Sequence, residues 1–178
     1  MTTLSARCAR AASLLGLLAS LAAMNHAAAA QTVVINGARM TWYGAFTISK
    51  GRRITEPGGA NGQVQSTAVR PPMVNSDRIA FAPDAKFGFG YVLNGQPADA
   101  RVKLRYVIKI PPPGAVEAAS GQNKLVDEGT YPDLRVGRGD LFLGESLAQF
   151  KDPPPGPWTV QLWYEDRLLL EKTFTLAK

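Results

Sequence analysis

Three acidic pairs carry the residue types that acid–base chemistry needs: Asp127-Glu128, Asp140 with Glu145, and Glu165-Asp166. A glycosidase-type mechanism requires two carboxyls facing one cleft, roughly 5 Å apart for retention or roughly 6.5–9.5 Å for inversion. Neighbouring residues of a strand point to opposite faces, which separates Asp127 from Glu128 if that segment is extended. Glu165-Asp166 reads as a tight turn, where Asp is favoured for backbone reasons. The single histidine, His26, and the single cysteine, Cys8, both lie in the first thirty residues. From residue 31 onward the chain therefore cannot build a Ser-His-Asp triad, a Cys-His pair, a His-ligated zinc or copper site, or a cysteine-held cluster. No D-x-D-x-D-G loop is present for calcium. The expectation is a protein without catalytic residues, metal or cofactor, with a carboxylate-only enzyme as the least favoured alternative.

Binding is the remaining chemistry, and two Trp-Tyr dipeptides locate it. Alternation splits each dipeptide between two faces of a strand. Trp42 runs with Met40, Phe46 and Ile48, and Tyr164 runs with Val160 and Leu162, which turns Tyr43 and Trp163 outward. If 101–110 pairs antiparallel with 158–164, Trp163 lies on the same face as Arg101, Lys103 and Arg105. An aromatic ring flanked by cations suits an anionic sugar or phosphate-bearing polymer, through stacking and charge together. The competing reading is an ordinary solvated sheet face, with an Arg stem covering the indole and Glu171 neutralising the charge. The same pairing brings Pro111, Pro112 and Pro113 to one pole with Pro153, Pro154 and Pro155, as a stiff loop rim. Such triplets also simply stop strands, because proline cannot donate to a ladder. Arg138-Gly139-Asp140 is read as a turn.

The elements that must position these residues are strands. Residues 31–178 show short alternating runs separated by Gly, Pro, Asn and Asp, a sandwich or barrel pattern. Residues 40–49 read as one strand. Lys50 to Gly62 then reads as a long hairpin loop, and 63–70 as a weaker returning strand. In 86–93, Phe87, Phe89, Tyr91 and Leu93 share one face, with Gly88 and Gly90 opposite, where a bulky group can lie close. Asn94-Gly95 reads as a turn leading into 101–110, which makes a hairpin of the two strands. In 101–110, Val102, Leu104, Tyr106, Ile108 and Ile110 point inward, and Val107 outward. Strands come next at 124–131 and 140–147. A final hairpin joins 158–164 to 168–176 around Glu165-Asp166-Arg167, with Leu168, Leu170, Phe174 and Leu176 inward. The predicted fold is an all-β, immunoglobulin-like sandwich of about eight mostly antiparallel strands in two packed sheets.

Tyr43-Gly44-Ala45-Phe46, Lys86-Phe87-Gly88-Phe89-Gly90-Tyr91, Pro111-Pro112-Pro113-Gly114, and Gly156-Pro157-Trp158 with Trp163-Tyr164 after it give the chain a likeness. It resembles a family of exported bacterial proteins known only as a domain of unknown function. The resemblance spans nearly all of residues 31–178. It implies an immunoglobulin-like fold and an envelope location, and it carries no activity.

The compartment is read from the first thirty residues. Arg7 and Arg10 precede an uncharged apolar run, Ala11 to Met24, and small residues end at Ala28-x-Ala30. This is a signal-peptide pattern, and the run is too short to span a bilayer comfortably. Intact-mass measurement of the exported protein should place its first residue at Gln31 or within a few residues of it. Retention of residues 1–30 would overturn the compartment reading. Two of the 20 Lys and Arg and none of the 14 Asp and Glu lie in that segment, which leaves 18 cations against 14 carboxylates, a net +4. The expectation is therefore a periplasmic or secreted single domain, 31–178, with no transmembrane segment after cleavage. Its partner is an envelope protein or anionic polymer and not nucleic acid. Two roles are open to it: a non-catalytic binding or accessory module of the envelope, or a structural subunit assembled by strand addition.

Overall fold

The computed structural model describes residues 32–54, 64–139 and 141–177, and the chain divides between Ala30 and Gln31. The expected signal peptide and its expected cleavage point lie outside the described residues. The strands run in the order β1 (Val34–Ala45), β2 (Thr47–Ile54), β3 (Val64–Arg70), β4 (Arg78–Ala80), β5 (Lys86–Gln96), β6 (Arg101–Lys109) and β7 (Ala115–Glu117). Then come β8 (Asn123–Lys124), β9 (Val126–Arg135), β10 (Leu141–Ser146), a 3-10 turn (Leu147–Gln149), β11 (Phe150–Lys151), β12 (Gly156–Tyr164) and β13 (Arg167–Ala177). The excess over about eight strands comes mainly from short pieces such as β4, β7, β8 and β11.

Two larger sheets form the body, one ordered β1-β5-β10 and the other β4-β13-β12-β6-β9. Every pairing is antiparallel except that of β4 with β13. Alternation makes the core. Phe87, Phe89, Tyr91 and Leu93 of β5 are fully buried, as are Trp158, Val160 and Leu162 of β12. The sheets meet where Phe87 packs edge-on against Trp158, with ring centroids 5.8 Å apart, and against Phe174 of β13 at 5.3 Å. Burying each such side chain contributes roughly 1.5–3 kcal/mol, so this contact zone is the main cohesion of the two layers.

The structure corrects several expectations. Strands β5 and β6 are not a hairpin: β5 pairs with β1 and β10, whereas β6 pairs with β12 and β9. Asn94 and Gly95 remain in the β5 ladder, opposite Gly37 and Ile35. Between β5 and β6 the chain crosses from one sheet to the other at 97–100, where Pro97 supplies no amide to continue a ladder and Asp99 adopts φ 59°. Crossing lets both strands point their apolar faces into one shared core. Residues 40–49 are also not one strand, because the ladder to β5 ends at Ala45 and β2 pairs with β3 instead. Strand β2 continues to Ile54, so the expected loop begins later, and residues 55–63 lie outside the described residues.

Two bulges change which side chains face inward. A register shift between Met40 and Trp42 leaves Thr41 without a partner, so Met40 and Tyr43 both face the core and Trp42 faces out. Trp42 lies on Gly90, where a Cβ would stand 2.1 Å from the indole nitrogen. The bulky neighbour expected beside these glycines is therefore Trp42 at Gly90, whereas at Gly88 it is the backbone of Leu143 and Gly144 that lies close. Phe46 covers Gly144 in the same way, and its ring contacts Trp42 at 5.9 Å and Phe142 at 5.8 Å. The second bulge leaves Leu169 unpaired between Leu162↔Leu170 and Trp163↔Leu168. Leu168, expected inward, is exposed, and Leu169 packs on the core instead. Val107, expected outward, is buried beside Gln161 on the outer side of its sheet.

Candidate functional site

The outer face of the five-stranded sheet brings the expected platform together in part. Trp163 stands in the ladder between Arg105 of β6 and Leu168 of β13. It is partly exposed, and the Arg105 guanidinium carbon lies 4.9 Å from the indole centroid, within the roughly 6 Å range of a cation–π contact. The ring is held in place: Trp163 Nε1 donates to Gln161 Oε1 at 3.2 Å, and Gln161 Nε2 donates in turn to Glu171. Arg105 also meets Glu128 at 3.6 Å, with both side chains substantially exposed. An exposed pair of this kind is worth about 0–1 kcal/mol, so Glu128 is readily exchanged for another anion.

Lys103 and Arg101 are exposed on the same strand, at alternate positions that put them on the Arg105 face. Arg101 lies opposite Arg135 at the end of the β6–β9 ladder, beyond the stretch of β6 that pairs with β12. Tyr43 does not join this surface. It belongs to the other sheet, packs against the core, and carries the Lys172 ammonium 4.2 Å above its ring. Sequence alternation mistook its direction because the extra residue at Thr41 turns the side chains after it to the other face.

The proline triplets do share one pole, because Thr159 pairs with Lys109 and places the end of β6 beside the start of β12. A Cβ on Gly156 would stand 3.7 Å from the Pro111 ring. The rim is only half available, however. Pro111 and Pro154 are buried, and Pro154 accepts a 3.0 Å hydrogen bond from Trp158 Nε1, whereas Pro112, Pro113 and Pro155 are exposed. Leu125 and Val126 extend the exposed apolar surface there, joined to it by the Ile110 amide bonded to Leu125 O at 2.8 Å.

Glu145 is the residue that sequence reasoning placed among the acids without seeing its setting. It pairs with Phe87 in the ladder, faces the interior, and is 4% exposed. Burial pushes its carboxyl up to about 7, against hydrogen bonds from the Ser146 amide at 2.7 Å and from Gln149. Across the interior stand Tyr106 and Tyr131, with ring centroids 5.0 Å apart. Burial, then the neighbouring Tyr106, Glu145 and Asp127, holds the Tyr131 hydroxyl at about 12. Asp127 faces inward as the partner of Ile108, and Glu128 faces outward as the partner of Val107, which splits that acidic pair as expected. Asp127 is engaged by Lys124 at 2.9 Å, and Lys124 also meets Glu117 at 2.8 Å. Glu165 and Asp166 form the β12–β13 turn, with Glu165 at φ 52°. Asp140 lies outside the described residues.

Among the described residues no helix is long and apolar enough to cross a membrane, and no three acidic, His or Cys side chains gather as a metal-binding group. No protein-family model matches the chain, and no curated protein is similar to it. Among solved structures, it is similar to an immunoglobulin-like protein from Pseudomonas aeruginosa, with 20% identity and a TM-score of 0.55 over 84% of this chain and 99% of that one. Together with the two-sheet topology, that likeness makes the chain an all-β protein with an immunoglobulin-like fold.

Proposed function

We propose that the protein is a non-catalytic binding module of the bacterial cell envelope that holds an anionic polymer on the outer face of its five-stranded sheet. The observation that carries this reading is the Arg105 guanidinium lying 4.9 Å from the centroid of a partly exposed, hydrogen-bonded Trp163. A ring fixed before binding loses little freedom on meeting a ligand, and the nearby Lys103 adds charge to attract one. Envelope location rests on the signal-like first thirty residues and on the family resemblance. Assembly by strand addition is less well supported, since the long β1 edge is interrupted by two register shifts, which blunt an edge as a template.

Titration with purified lipopolysaccharide tests the reading. Trp163→Ala should weaken binding about tenfold, in line with a cation–π and stacking contribution of about 1–2 kcal/mol, and the circular dichroism spectrum should stay unchanged. Affinity should also fall as salt rises. A folded Trp163→Ala protein that binds as wild type does would remove this surface from consideration.

A further inference from the structure

Strand β10 is held in the fold from one side only. It pairs with β5, and no ladder joins it to β9, the edge strand of the other sheet, among the described residues. The interior between these two edges is the polar part of an otherwise apolar core. Glu145 enters it from β10, Tyr106 from β6, and Asp127 and Tyr131 from β9. Lys124 of β8 is the cation whose charge reaches Glu145, and it is committed to Asp127 and to Glu117 of β7. The inward residues of β12 opposite this region, Trp158, Val160 and Leu162, carry no charge, and Phe87 of β5 is apolar. A carboxylate formed here gains two hydrogen-bond donors, the Ser146 amide and Gln149, and loses nearly all contact with water.

A second unfavourable group stands on β5, opposite the first residue of the same strand. Tyr91 pairs with Leu141 at the start of β10, and its buried hydroxyl has no hydrogen-bond partner among the described residues. The closed position of β10 thus shuts in both a carboxyl and an orphan hydroxyl, and both regain water if the strand lifts.

We propose that residues 141–149, β10 and the turn after it, form a proton-operated latch over the sandwich interior, held most firmly while Glu145 is neutral and opened more readily as Glu145 ionises. Release is local. The β12–β13 and β12–β6 ladders hold the five-stranded sheet together without β10, and Glu145 Oε1 itself ties the strand end to Gln149 of the adjoining turn. The Leu147 amide, bonded to Ala85 O at 2.9 Å, reports the state of that turn.

Native-state hydrogen exchange of the intact chain, corrected for intrinsic rates, tests the latch. Between pH 6 and pH 8 the protection of Leu143, Glu145 and Leu147 amides should fall about tenfold, as expected for opening linked to one carboxyl with a folded value about 7. The Val160 and Leu162 amides of β12 should keep their protection. Glu145→Gln should remove the local pH dependence. Gln149→Ala, which deletes a donor to the carboxylate, should move its midpoint upward. A β10 profile that does not change with pH overturns the latch. So does one that falls in parallel with β12, or one whose midpoint Gln149→Ala leaves in place.

Discussion

Replacing Trp158 by alanine should cost the domain about 3–5 kcal/mol, measured as the loss of unfolding free energy in urea. The side chain is fully buried, and its ring meets Phe87 at 5.8 Å from one sheet and Phe150 at 5.7 Å from the strand before the second proline triplet. Its indole nitrogen also satisfies Pro154 O at 3.0 Å, and truncation leaves that buried carbonyl without its donor. The cavity, the lost ring contacts and the unpaired carbonyl all act in one direction. Trp163→Ala, by contrast, removes a ring from the solvent side of the same strand and should cost far less. A Trp158→Ala loss below about 1 kcal/mol would show that the two sheets do not depend on this contact.

Glu145→Gln should stabilise the protein by about 3 kcal/mol at pH 8 and by almost nothing at pH 4, read from urea unfolding at a series of pH values. Burial raises the folded-state value from 4.5 to about 7, so folding takes up a proton between those values. The stability that the neutral acid provides is fully present below about 4.5. It declines as pH rises toward about 7 and is gone above it. Glutamine keeps the shape and an acceptor oxygen for the Ser146 amide, while removing the charge that burial penalises. Equal unfolding free energies for the two proteins at pH 8 would mean that Glu145 is solvated in the folded state. This experiment reads global stability, whereas the latch is read only from exchange confined to β10.

Local alternation was enough to identify most of the strands that carry the core. The spacing of Phe87, Phe89, Tyr91 and Leu93, and that of Trp158, Val160 and Leu162, identified buried faces from period-2 geometry alone, and all seven are buried. The same alternation turned Trp163 outward beside Arg105, and the antiparallel pairing of β6 with β12 brought the proline triplets to one pole. Composition established the absence of histidine and cysteine from residue 31 onward, and with it the exclusion of several chemistries.

Periodicity could not supply anything set by partners distant along the chain. A single extra residue at Thr41 or Leu169 inverts the direction of the side chains beyond it, and nothing local marks either position as a bulge. The passage of β5 and β6 into different sheets was equally hidden. A strand apolar on one face is satisfied by any arrangement that buries it, and only the assembled layers choose which neighbour does so. Glu145 shows the same limit in its chemistry. Its sequence neighbours Gly144 and Ser146 give no sign of an unusual acid. Its raised carboxyl arises from burial behind Phe87 and the tyrosines, and then from Asp127, all brought around it by long-range pairing. Sequence thus determined which faces are apolar and which reagents are absent. Tertiary structure decided which faces meet, because burial and charge proximity depend on contacts that no local pattern encodes.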